Sequence, residues 1–420
     1  MSNYSTYMSQ AKGERRKAKS LFAFRLVPCV FFFAITLLTG CAAVDTIGES
    51  VSGITDYFSG GEDNADPPSA LVEYAPEIKV EVIWKESVGV GADEQSLKLI
   101  PVIGSGKILA ADLEGVVQAR SLTTGNLIWE TETDVHFSGG PGLGAGTVIL
   151  GSSDAQVVAL DIETGAVLWK SAVSSEVLSV PVVANNIVVV RTTDGAVVAL
   201  DEKTGGKRWS YERAVPALSL RGTGSPLIAE GNVIGGYDNG KLMALRLADG
   251  KYVWETSIAI PKGRSEIERL VDLDVDPIVI NGVIYVAGFQ GGIAAISELD
   301  GDVLWRNETI SSHSGLSNDY RYLYLTDSES HVMQLDQHSG ASLWKQKDLH
   351  QRRLTAPAAY ENYVVVGDFE GYVHWLSSID GRQLGRVQVT DDPIDAKPIV
   401  IDSTVYVYAK DGTLAALKVR

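Results

Sequence analysis

A glycine turn followed four residues later by tryptophan returns along this chain, and nothing else in the sequence restricts its fold as much. The pattern reads Thr124-Gly125 to Trp129, Thr164-Gly165 to Trp169 and Thr204-Gly205 to Trp209. It continues as Asp249-Gly250 to Trp254, Asp300-Gly301 to Trp305 and Ser339-Gly340 to Trp344, while a last copy, Asp380-Gly381, has Gly385 where the tryptophan would stand. Repeats of about 40 to 45 residues are the size of a four-stranded propeller blade, so the chain folds as a ring or an array.

The third copy shows the unit. Residues 181–184, 187–192, 196–201 and 207–212 are short β-rich runs separated by Asn185-Asn186, Asp194-Gly195 and Thr204-Gly205-Gly206. Such turns supply the positive φ angles that tight hairpins need, so each repeat is a four-stranded meander. The chain end decides for a ring. Residues 397–419 give three strands and stop before a fourth, whereas Val82-Ile83-Trp84-Lys85 matches Val167-Leu168-Trp169-Lys170 without three strands of its own before it. An N-terminal strand that completes the last blade pairs two edges that would otherwise be exposed. The expected fold is all-β: an eight-bladed β-propeller of four-stranded antiparallel blades, the last blade closed by an N-terminal strand.

The N-terminus is a separate matter. Arg15, Arg16, Lys17, Lys19 and Arg25 precede an apolar run ending in Leu38-Thr39-Gly40-Cys41. The run is shorter than the roughly 20 residues a membrane-spanning helix needs, and it reads as a secretory signal. The tetrapeptide resembles the bacterial lipobox, which implies cleavage before Cys41 and acylation of its thiol and amine. The expected division is a lipoprotein signal peptide at 1–40, a lipidated flexible tether at 41–77 and the propeller at 78–420. Cys29 goes with the signal and Cys41 with the lipid, so neither of the two cysteines is left to form a disulfide. Ala42 and Ala43 follow the lipidated cysteine where an Asp would favour retention in the inner membrane, so the expected location is the outer membrane, facing the periplasm. Residues 1–40 hold six of the 36 basic residues and one of the 53 acidic ones, so 30 basic residues face 52 acidic ones in the mature chain. Nucleic acid is excluded as a partner on that balance.

Ala159-Leu160-Asp161-x-x-Thr164-Gly165-x-x-x-Trp169 resembles the tryptophan-docking motif of quinoprotein propellers, which include quinone-dependent alcohol dehydrogenases. The chemistry of those enzymes is not legible here: there is no adjacent cysteine pair, and His136, His313, His331, His338, His350 and His374 never fall at metal-binding spacing on one element. Asp272-x-Asp274-x-Asp276 begins like a calcium loop, but Pro277 stands where the glycine must turn and Val283 where the bidentate glutamate should be. The run 139–146 is glycine-rich without phosphate-loop spacing and reads as a blade connection, and no serine sits in a nucleophile elbow. No catalytic residue, cofactor or metal is expected.

If the body is a uniform ring, its irregularities mark function. Trp129 to Pro141 and Trp169 to Pro181 are short joints, but Trp209 to Pro226 and Trp254 to Pro277 are long, and both flank the fourth blade. The first long joint carries Leu218-Ser219-Leu220-Arg221-Gly222 and the second Asp272-Leu273-Asp274. With the lipobox and the blades, these segments resemble the BamB family, the non-enzymatic lipoprotein subunit of the outer-membrane β-barrel assembly (Bam) machinery. The resemblance implies that Leu218, Leu220, Arg221, Asp272 and Asp274 dock on the periplasmic POTRA domains of BamA. It also implies association with the other Bam lipoproteins, with nascent outer-membrane proteins as further partners. Apolar anchors, a guanidinium and carboxylates make chemical sense as an interface. The alternatives left open are an internal role for these residues, a quinoprotein-like dehydrogenase, and a ligand-sensing propeller lipoprotein.

Overall fold

A computed structural model describes residues 66–93, 95–213, 224–259, 271–273, 275–289 and 291–420. Among them there are 33 strands, and no helix is long and apolar enough to cross a membrane. The strands form eight sheets in chain order, each an antiparallel meander. The blades occupy 102–132, 137–172, 182–211, 227–257, 278–307, 316–346 and 358–388, and the eighth joins 399–419 to the N-terminal strand Val80–Ser87. That strand pairs antiparallel with Thr413–Val419 from Val80↔Val419 to Ser87↔Thr413, which is the ring closure expected from the repeat. The second blade departs from four strands: Lys98–Leu99 adds a fifth, parallel to Phe137–Leu143.

The repeated residues explain how the blades hold together. Every outer strand carries a β-bulge next to its tryptophan position, as between Val167 and Trp169, and the bulge re-aims that side chain. Trp169 then lies over the next blade's turn, where its Nε1 donates to the Glu202 carbonyl at 2.8 Å. Gly205 is that turn's glycine: its φ is +70°, and a Cβ there would stand 2.6 Å from the indole ring. Only glycine tolerates both conditions. The same pairing joins Trp84 to Gly125, Trp129 to Gly165, Trp209 to Gly250, Trp254 to Gly301, Trp305 to Gly340 and Trp344 to Gly381. The remaining junction, between the seventh and eighth blades, is built differently. Gly385 stands in the tryptophan position and Ile78 lies against it, while the Leu384 carbonyl accepts from the backbone of Glu77 and Ile78. The eighth tryptophan, Trp375, is completely buried in the seventh blade and donates to the Tyr360 hydroxyl at 3.0 Å.

Two sequence expectations change. Residues 66–77, counted with the tether, form no strand but lie on the blades: the Ser69 amide donates to the His350 carbonyl at 2.9 Å, Arg386 donates to the Val72 carbonyl at 2.8 Å, and Arg382 pairs with Glu77. Their backbone is held by blade residues, which composition alone does not reveal. The glycine-rich run 139–146, read as a blade connection, is largely the strand Phe137–Leu143. A Cβ on Gly139 or Gly142 would collide with the carbonyls of Ser179 or Pro181, so its glycines permit close approach of the third blade.

Much of the acidity serves the turns. Asp161 Oδ1 accepts from the backbone and hydroxyl of Thr164, each at 2.8 Å, and Asp201 repeats the arrangement. Arg208 and Thr204 beside Asp201 hold its carboxyl at about 2.

The seventh blade buries a charged group of its own. Asp368 is fully enclosed and accepts from Arg352 Nε at 2.8 Å and His374 Nε2 at 2.9 Å. Burial pushes the His374 imidazole below its ordinary value, against the pull of Asp368. An unfolded imidazole titrates near about 6.5, so below that pH the unfolded chain binds a proton that the folded chain refuses. His374 stability is therefore complete above that value and lost as pH falls, by up to about 1.4 kcal/mol per pH unit. Denaturant unfolding at pH 7 and at pH 5 is expected to show a smaller acid loss in His374→Gln than in the unmodified chain. Equal losses would mean that His374 is not held neutral.

Candidate partner interface

The two long joints enter and leave the fourth blade, whose strands are Leu227–Ala229, Asn232–Gly236, Lys241–Arg246 and Tyr252–Ser257. Leu218, Leu220, Arg221 and Asp274 lie outside the described residues. The described flanks show how the joints are held.

At the entrance, Arg213 precedes the first joint and forms an ion pair with Glu255, on the outer strand that leads into the second. Lys241 reaches the same carboxylate at 2.5 Å. At the exit, Asp276 Oδ1 accepts from the Ser225 amide and from Lys98 Nζ, both at 2.5 Å. Ser225 ends the first joint and Asp276 the second, so a carboxylate bond ties the two exits together. The loops are thus pinned to each other at both ends.

Against Gly224, at the described end of the first joint, lies a buried guanidinium. Arg191 is 2% exposed, donates through Nη1 to the Gly224 carbonyl at 2.9 Å, and stands 4.7 Å from the centre of the Tyr237 ring. Asp238 lies 3.8 Å from it as a counter-ion. Burial pushes the Tyr237 hydroxyl up to about 12 despite the two arginines beside it. The sequence reading missed Arg191, although a signal was present. At the matching register of the other blades stand Ala111, Gly151, Gly236, Ala287, Thr326, Gly367 and Tyr408, so Arg191 is the one charged residue in that position.

Asp272 is fully buried, and its carbonyl accepts from the Phe289 amide at 2.9 Å, which fastens the end of the second joint to the fifth blade. Leu273, also fully buried, fills the space that Gly236 and Gly288 leave open. Asp272, which the sequence reading places on the docking surface, is therefore enclosed within the protein rather than exposed.

The centre of the ring holds a cavity of about 220 Å³ lined in part by Lys98, Asp276, His313, Asp395, Lys397 and Lys410. Asp276 faces Lys98, Asp395 lies 3.1 Å from Lys410, and Lys397 donates to the Leu316 carbonyl at 2.6 Å. Each of these carboxylates already has an ammonium partner, a poor donor set for a calcium ion. In the calcium-like stretch the Asp276 carboxylate is likewise committed, to the Ser225 amide and Lys98. Histidines that sequence spacing leaves scattered do meet elsewhere: His331 and His350 stack at 5.0 Å on the rim of the sixth blade.

Comparison with known proteins agrees with the ring. The profile of the family described as "Outer membrane protein assembly factor BamB" matches residues 113–346 and 336–420. The protein of that name from Alkalilimnicola ehrlichii is 49% identical over 341 residues, covering 81% of this chain and 89% of that protein. Its counterpart in Pseudomonas aeruginosa is 47% identical over 354 residues, covering 84% and 93%. The crystal structure of BamB from Moraxella catarrhalis superposes with a TM-score of 0.73 at 25% identity, covering 81% of this chain and all of that one. A quinohemoprotein alcohol dehydrogenase from Comamonas testosteroni reaches a TM-score of 0.62 at 14% identity, covering 80% of this chain and 76% of that one, a likeness of fold alone. The chain belongs to the BamB family of outer membrane protein assembly factors.

Proposed function

We propose that this chain is a non-enzymatic scaffold of the Bam machinery, anchored in the outer membrane by acyl chains on Cys41 and facing the periplasm. It docks on the periplasmic POTRA domains of BamA through Leu218, Leu220, Arg221 and Asp274, with Asp272 holding the second joint in place. The other Bam lipoproteins are neighbours in the same complex, and nascent outer-membrane proteins are its clients. The observation that carries this reading is the pinning of the ends of the two long joints to each other, because fixed ends reduce the entropy that a loop pair loses when a partner binds. The family relationship supplies the kind of partner. The lysine-paired carboxylates of the central cavity favour a scaffold over a quinone enzyme.

Capture of the full mature chain by immobilised BamA periplasmic domains tests the reading. Unmodified chain in detergent is expected to be retained, and Cys41→Ala is expected to be retained equally while leaving the membrane fraction in cells. Failure of both proteins to bind would refute the docking assignment. Persistence of Cys41→Ala in membranes washed free of protein contacts would refute the anchor.

A further inference from the structure

The turn of the sixth blade and the link to the seventh bring together four groups that no repeat or motif connects. His331 Nδ1 lies 3.0 Å from Asp327 Oδ2 and 3.4 Å from Glu329 Oε2. His350 Nε2 lies 2.6 Å from Asp66 Oδ2. The remaining ring nitrogens, His331 Nε2 and His350 Nδ1, face each other at 3.1 Å.

The protons in this chain are constrained. A carboxylate accepts and does not donate, so His331 must carry its proton on Nδ1 and His350 on Nε2. Asp327 also takes Lys345 Nζ at 2.8 Å, which keeps it an acceptor. Both facing nitrogens then present lone pairs. Two lone pairs at 3.1 Å repel unless a cation stands between them, and that cation is either an extra proton or a metal ion.

We propose that His331 and His350, with Glu329, form a binding site for a divalent transition-metal cation of the zinc class. One ligand atom from each of the three residues lies within 4.8 Å of the others. Zinc–nitrogen bonds of about 2.0–2.1 Å place two tetrahedral ligands about 3.3 Å apart, so the observed separation needs only a few tenths of an ångström of movement. Each imidazole is already oriented by a carboxylate on its far nitrogen, the arrangement that metal-bound histidines usually show. Imidazole nitrogens with one carboxylate oxygen suit zinc, nickel or copper better than magnesium or calcium. His331 is almost buried and His350 partly so, while Glu329 is exposed, which leaves the site open on one side. The ion would also brace the chain from Asp66, because the His350 carbonyl receives the Ser69 amide and Arg352 donates to the Ser69 carbonyl at 3.1 Å.

Metal-free mature chain, prepared with a chelator and titrated with zinc by calorimetry and with cobalt by visible absorption, tests the site. The expected result is one ion per chain with a micromolar or tighter constant and a cobalt spectrum with nitrogen ligation. His331→Ala and His350→Ala should each weaken binding by about a hundredfold or more, and Asp327→Asn by about 10–100-fold through loss of orientation. Thermal unfolding in chelator separates these losses from misfolding, and His350→Gln, at the more exposed position, is the variant to use if His331→Ala does not fold. No binding by the unmodified chain would overturn the proposal, with a proton alone shared by the pair. Binding that survives in both histidine variants would overturn it equally, by placing the ion elsewhere.

Discussion

Deleting residues 79–86 is expected to lower the stability of the entire ring by more than about 5 kcal/mol, a large share of the total of a typical domain. The segment supplies most of Val80–Ser87, whose ladder with Thr413–Val419 runs the length of the strand. It also removes Trp84, which is 8% exposed, donates to the Leu122 carbonyl at 2.9 Å and lies over Gly125 of the first blade. Loss of a buried tryptophan alone costs about 3–5 kcal/mol. The deletion in addition bares the edge of Thr413–Val419, which invites pairing with other chains. A melting temperature lower by about 10 °C or more, with earlier aggregation, is the expected readout by near-ultraviolet circular dichroism. Melting unchanged within error would show that Trp84 does not close the circle.

The ring was legible because its chemistry is periodic. The tryptophan at each bulge and the glycine it covers lie in different blades, so one residue type at a fixed interval reports a contact between neighbours without any knowledge of their pairing. Gly385 broke the period and marked the one junction where Ile78 does the packing. The histidine pair was illegible for the opposite reason. His331 and His350 are 19 residues apart on two different loops, and only the folded turn of the sixth blade brings them within 3.1 Å. The structural role of Asp276 was hidden for the same reason, because its partners Ser225 and Lys98 are 51 and 178 residues away. The fifth strand of the second blade, Lys98–Leu99, is two residues long and pairs in parallel, so no alternation announces it.

The long joints occupy an intermediate place. Their lengths stood out against the repeat, and the structure ties them together at Arg213–Glu255 and at Ser225–Asp276. Arg191 beside Gly224 broke the pattern too, as an arginine among small and neutral residues, but that comparison requires the strand register. Polar supports of this kind are invisible to periodicity because each is used once.

Arg221→Glu is the measurement on which the docking account depends most directly. An arginine that loses its carboxylate partners at an interface leaves them desolvated, and removal or reversal costs about 2–5 kcal/mol when the pair is buried. That is roughly thirtyfold or more in affinity. The full mature chain carrying Arg221→Glu should bind the periplasmic domains of BamA at least that much more weakly, with circular dichroism and melting temperature close to those of the unmodified chain. Lys203→Glu, an exposed charge reversal on the third blade's outer turn, should bind normally. Arg221→Glu binding BamA as tightly as Lys203→Glu would contradict the account and move the docking surface elsewhere; unfolding of Arg221→Glu would contradict it by making Arg221 part of the fold.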